Sequence, residues 1–188
     1  MGRPRNEGYP CGSDGRYDQR HTNGEGTTVA RIQLPPGDLE EPYRLFSMAP
    51  NVAGAAGAYS EAIYTKASID LRLRELLRMR IAQINQCHIC MNARVPSLEA
   101  AGITEELLTN VDSYATYPGF TDAERDALDY TTRFALDHGS IDQAFMDRMV
   151  SHYGDETVFE ITLCIAGWLA LGRVNAVMDV TTSCPLTV

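Results

Sequence analysis

Chemistry concentrates in one run of the chain, between Glu75 and Arg94. Within it Cys87-His88-Ile89-Cys90 is a C-x-x-C pair. At the start of a helix such a pair is a dithiol placed to close into a disulfide, because the first-turn N–H groups and the helix dipole favour a thiolate there. At ~100° per residue the two cysteines lie about 60° apart, and Arg94 falls within about 40° of Cys90 on the same face. Its guanidinium there would favour a thiolate or a bound anion. Glu75 stands twelve residues before Cys87, about 120° away on a continuous helix. It reaches the thiols only if the chain bends near Asn85-Gln86, and the sequence predicts that bend. His88 offers an imidazole, directed about 200° around the helix from Cys90. Plainer readings of the same residues stay open. Cysteines at helical i, i+3 also serve as small buried apolar residues, and Glu75 can pair with Arg72, Arg74 or Arg78 on its own helix.

The elements that must hold these residues read as helices, five or six in number. Asn51 to Lys66 is Ala-rich and amphipathic. Asp70 opens a strong helix in which Leu73, Leu76, Leu77, Ile81 and Ile84 recur at helical spacing with arginines on the other face. A second helix is expected from Cys87 to about Ala101, stopped by Gly102. Thr104 caps a short helix through Val111. Thr121 to Glu124 is a capping box for a helix to about Asp137, with Leu128, Thr131, Phe134 and Ala135 inward; His138-Gly139 ends it. Asp142 to Tyr153 is a further helix, and Asp155 opens the longest, through Trp168 to about Met178. Residues 29–34 read as a short extended entry ended by Pro35-Pro36-Gly37. Residues 1–28 hold no Val, Ile, Leu or Phe and cannot bury enough apolar area to offset ordering, so they read as a disordered or loosely docked arm. The expected fold is all-α: one helical domain over residues 29–188 behind that arm.

Composition narrows the function. The 188 residues carry 25 acids against 16 bases, a net charge of −9, which removes the electrostatic footprint of a nucleic-acid binder. The longest apolar stretch, Ile161 to Leu171, is far short of the roughly 20 residues that span a bilayer, so it reads as a buried helix and no membrane partner is expected. The first residues lack the apolar core of a secretory signal, which points to the cytoplasm, where thiols stay reduced. A structural zinc site would need a second ligand pair after Cys87 and Cys90, and none follows; no metal or cofactor is expected. The βαβ context of a thioredoxin-type C-x-x-C is missing. Cys164 reads as core, while Cys11 and Cys184 read as incidental. The helix over 161–180 is apolar nearly all round and demands cover on every face, which a neighbouring subunit would supply.

These residues resemble the alkylhydroperoxidase D-like, carboxymuconolactone decarboxylase family, whose redox members carry E-x11-C-x-x-C-x-x-x-H. The resemblance spans about residues 40–180. Glu75, Cys87 and Cys90 match in spacing, and Arg94 stands in place of the motif histidine. By this resemblance Cys90 is the thiol that attacks a hydroperoxide and becomes a sulfenic acid. Cys87 then condenses with it to a disulfide and exchanges with a dithiol reductant protein, and Glu75 accepts the proton. Arg94 cannot relay protons near neutral pH, which leaves His88 as the substitute imidazole. The resemblance also implies a homo-oligomer, commonly a trimer or hexamer. The competing functions on the same scaffold are a non-redox, decarboxylase-like reaction and a non-catalytic binding protein.

Overall fold

The computed structural model describes residues 30–95 and 98–180. The arm expected over 1–28, with Cys11, and Cys184 near the other end lie outside the described residues. Eight α-helices and no strand occur among the described residues: α1 Glu41–Ser47, α2 Pro50–Thr65, α3 Leu71–Asn85, α4 His88–Asn92, α5 Glu105–Thr109, α6 Asp122–Leu136, α7 Gln143–Tyr153 and α8 Asp155–Val177. The all-α expectation is thus met, with α1 an addition that its short Pro-containing sequence did not announce.

Local side-chain chemistry starts these helices where the sequence places the starts. The Asp70 carboxylate accepts the Leu73 N–H at 2.9 Å and so opens α3. Asp142 does the same for Phe145 in α7, and Thr104 for Leu107 in α5. Thr121 and Glu124 close a reciprocal capping box on α6, satisfying two orphan N–H groups at once.

Helix α3 is the axis of the molecule, packed against α8 on one side and α6 on another. Leu76 and Leu77 of α3, Leu128 of α6, and Ile161 and Ile165 of α8 are wholly buried where the three meet. By length and composition alone α8 could cross a membrane; here it packs against α2, α3, α6 and α7 as a core helix.

Three expectations are corrected. The arginines of α3 do not form a solvated face but stitch helices together. Arg72 bonds Glu124 of α6 at 2.5 Å, Arg74 donates to the Tyr64 carbonyl of α2 at 2.8 Å, and Arg80 donates to Thr132 of α6 at 2.9 Å; Arg78 is buried. The helix expected from Cys87 to Ala101 ends at Asn92, with Ala93 extended at ψ 132. Pro96 explains the break, since it lacks an N–H and disfavours helical geometry at Val95. Gly102 does adopt a left-handed conformation, φ 68, but closes a single turn over Glu99–Ala101. The described part of the entry segment is bent rather than extended; the Arg31 N–H donates to the Met178 carbonyl at 3.0 Å, so the two ends of the described chain meet.

Glu124 shows how one such stitch responds to pH. Burial pushes its carboxyl up, but hydrogen bonds from Arg72 and Thr121 outweigh burial and hold it below its ordinary value. A depressed carboxylate contributes stability above its unfolded pKa that is lost as pH falls through the folded one. Glu124→Gln is therefore expected to lower unfolding free energy by about 1–3 kcal/mol at neutral pH. Urea titrations at neutral pH and at about pH 3 check it: the gap between variant and parent narrows in acid.

Candidate active site

The bend expected near Asn85-Gln86 is present. Gln86 takes a left-handed conformation, φ 52, and the Cys87 N–H folds back onto the Ala82 carbonyl at 3.0 Å. This stops α3 and turns the chain into α4, with Cys87 as its N-cap. The turn is anchored from behind by Asn85. Its amide donates to the Leu169 carbonyl of α8 at 3.0 Å and accepts from Arg173 at 3.1 Å. Gly172 makes that approach possible, because a Cβ there would sit 2.9 Å from the Asn85 amide nitrogen.

Cys87 and Cys90 form a disulfide, with Cα atoms 5.2 Å apart. The two sulfurs occupy different surroundings. Cys87 is 2% exposed, and its Sγ accepts the Cys90 N–H at 3.3 Å, so the capping N–H serves the first cysteine rather than the second. Cys90 is half-buried and lines a cavity of about 170 Å³ between α2, α3, α4 and α8. The cavity walls are mostly apolar, including Ile63, Ile81, Ile89, Trp168 and Leu171, with polar groups from Ser60, Tyr64, Arg78, Asn85 and Asn175.

Below the disulfide lies a buried charged pair. Glu75 is fully buried and Arg78 is 3% exposed. Arg78 Nε donates to Glu75 Oε2 at 2.8 Å, while its two remaining nitrogens donate to the Cys90 carbonyl at 2.6 Å and the Ala93 carbonyl at 3.1 Å. Glu75 Oε1 accepts no hydrogen bond and faces Arg74 Nε at 3.6 Å. Tyr64 completes this layer. Burial raises its phenol pKa, Arg78 opposes that, and Glu75 adds to it.

The remaining expected residues lie elsewhere. Arg94 falls beyond the end of α4, so the shared helical face expected for it and Cys90 does not form. Its guanidinium bonds both carboxylate oxygens of Glu105, at 2.7 and 2.9 Å, and the Met91 and Ala93 carbonyls. That hydrogen bonding holds Glu105 below the usual carboxylate range. His88 is half-buried at the first position of α4, and neither it nor Arg94 is among the residues lining the cavity. Cys164 is core as expected; burial foremost, then Glu160, pushes its thiol up to about 11, which keeps it protonated and inert.

Sequence reasoning took Arg78 as one of three equal partners for Glu75, and overlooked Tyr64 and Gly172. Only the i, i+3 spacing of Glu75 and Arg78 pointed to the pair. Removing one member of a buried pair strands the other's charge. Arg78→Met is expected to destabilise the protein by about 3–5 kcal/mol, and Glu75→Leu combined with Arg78→Met to recover much of that loss, as read by denaturant unfolding.

Comparison with known proteins agrees with this fold. The Escherichia coli (strain K12) uncharacterized protein YnjA is 27% identical over 146 residues, 77% of this chain and 80% of the relative. A peroxidase-related protein from Ralstonia eutropha JMP134, described as an alkylhydroperoxidase AhpD core, superposes with a TM-score of 0.70 at 16% identity, covering 84% of this chain and 94% of its own. The debrominase Bmp8 superposes with a TM-score of 0.63 at 21% identity, covering 78% of each chain. At these identities the superpositions speak for the fold alone. Residues 50–133, which hold α2, α3, the disulfide and the Arg94 position, match the sequence profile of the carboxymuconolactone decarboxylase family. Over those residues the chain is similar to the carboxymuconolactone decarboxylase family, and it shares its fold with the alkylhydroperoxidase AhpD core.

Proposed function

We propose that the protein is a thiol-dependent peroxidase, a disulfide oxidoreductase that reduces hydroperoxides with Cys90 and Cys87 and is reset by an external dithiol protein. One observation carries the reading: the two cysteines stand at bonding distance with Cys90 open to an apolar cavity. The Cys90 thiolate attacks the hydroperoxide. An S–O bond forms as the O–O bond breaks, and the leaving alkoxide takes a proton to become an alcohol. The Cys87 thiol then attacks the sulfenic sulfur, water leaves, and the disulfide forms. A dithiol returns two electrons and two protons.

Glu75 is the proton acceptor in this reading, and Oε1 is the atom with capacity to spare, since Oε2 is engaged by Arg78. His88 and Arg94 enter only as flanking groups of α4. The proposed setting is the cytoplasm, whose dithiols keep such pairs reduced. The test is direct. Fully reduced protein treated with one equivalent of an organic hydroperoxide is expected to lose two hydrogens from the tryptic peptide 81–94, with Cys90→Ser abolishing turnover. Unreactive thiols, or activity that survives Cys90→Ser, return the function to non-redox chemistry or binding.

The family scaffold is further proposed to act as a closed homo-oligomer, a trimer or hexamer. On the outward side of α8, Phe159 is 65% exposed, Leu163 44%, Val174 40% and Val177 51%. Beside them an apolar groove of about 510 Å³ runs between α8 and Phe134 of α6. A second copy of the chain would cover this surface. Light scattering coupled to gel filtration at micromolar concentration is expected to give a small multiple of the chain mass; the mass of a single chain would refute it.

A further inference from the structure

The proposed cycle needs a thiol to open the disulfide, and its two sulfurs are unequal targets. We infer that the reductant attacks Sγ of Cys90, so that one sulfur meets both hydroperoxide and dithiol while Cys87 stays inside the protein. The inference rests on the redox reading above and assigns exchange to the opposite cysteine from the one the family resemblance implies.

Burial makes the first part of the case. Cys87 belongs to a small apolar cluster, separate from the main core, in which Leu45, Ile89 and Val180 are buried around it with Phe46 and Met178 packed alongside. Its cover thus comes from α1 and from the end of the described chain, and the Arg31–Met178 hydrogen bond ties the entry segment to that end. With this cover in place Cys87 is only 2% exposed, so an incoming thiolate reaches it only when the cluster opens. Cys90 lies on the cavity, and across from it stands Gly172, where even an added Cβ would be 3.6 Å from its sulfur. A side chain at that position would touch the sulfur, so the glycine keeps the α8 side of Cys90 free of one and the sulfur faces the cavity.

Leaving-group chemistry makes the second part. Attack at Cys90 expels Cys87 as the thiolate, and the Cys87 sulfur already accepts the Cys90 N–H at 3.3 Å. A hydrogen bond to the charged form favours it, and a better-stabilised thiolate leaves faster. The steps balance. The thiolate of a dithiol bonds to Cys90 as the Cys87–Cys90 bond breaks, and its electron pair departs on Cys87, which is then protonated. The dithiol's second thiolate attacks its own partner sulfur, closing its own disulfide and releasing Cys90 as a thiolate. Two electrons have passed to the pair, with one proton on Cys87 and Cys90 left as the thiolate that meets the next hydroperoxide.

Full-length Cys87→Ser and Cys90→Ser proteins, reduced and checked for native helical content, provide the test. Each is mixed with 5,5′-dithiobis(2-nitrobenzoate), and labelling of peptide 81–94 is followed by mass spectrometry. Plateau rates, taken above both thiol pKa values, read access rather than ionisation. Cys90 in Cys87→Ser is expected to label at least about tenfold faster than Cys87 in Cys90→Ser. Adding Leu45→Ala to Cys90→Ser, which thins the cover, is expected to bring the Cys87 rate towards that of Cys90. Equal rates, a faster Cys87, or a Cys87 rate indifferent to Leu45→Ala overturns the inference. Labelling needs no peroxide: if Cys90 labels as expected but hydroperoxide leaves both thiols untouched, the peroxidase reading fails and the access assignment stands.

Discussion

The buried pair of Glu75 and Arg78 is the constraint on which the site depends. Two charges removed from water are tolerated only when their hydrogen-bonding capacity is well used, and the guanidinium meets this demand by reaching across to the next helix. Its donors to the Cys90 and Ala93 carbonyls occupy main-chain acceptors at the end of α4 that no helix continues to satisfy. The same side chain therefore orients a carboxylate, ends a helix and fixes the backbone that carries the outer cysteine. The shortness of α4 follows from this arrangement as much as from Pro96.

What surrounds the pair explains why α3 can hold a charge at its centre. Of the other arginines on the same helix, Arg74 is drawn to α2 and Arg72 and Arg80 to α6, and the carboxylate that Arg72 bonds also serves the capping box of α6. Polar groups of α3 thus do work usually given to apolar contacts, joining helices at defined angles. The apolar residues between them, Leu73, Leu76, Leu77 and Ile81, supply the burial, and α8 closes over them.

Legibility in the sequence followed the range of the interaction. Helix starts at Asp70, Thr104, Thr121 and Asp142 depend on a side chain and an N–H three residues on, and all four were readable. The bend after Asn85 is readable too, since Asn is a poor continuer of a helix and Glu75 needs the bend to approach the thiols. The extent of the helix after Cys87 is decided by Pro96, which acts before the favourable stop at Gly102 is reached. The fates of Arg78 and Arg94 were hidden for a different reason. Both are decided by carbonyls and carboxylates brought close by the fold, at positions that periodicity treats as surface. The cavity, with walls from four helices, and the role of Gly172 as the place where α8 admits Asn85 have no local signature at all.

The small cluster around Cys87 sets a second level of stability within the molecule. It buries few side chains, and its pieces are two short helices and the segments around Leu34 and Val180, whereas the main core joins α3, α6, α7 and α8. Clusters of that size open by local unfolding at a fraction of the global free energy. Backbone amides of α1 and of the residues near Val180 thus belong to a fast-exchanging class, and those of α3 to a slow one. The inner sulfur is thereby coupled to this cluster rather than to the main core, so its encounters with solvent are timed by the opening of the cluster.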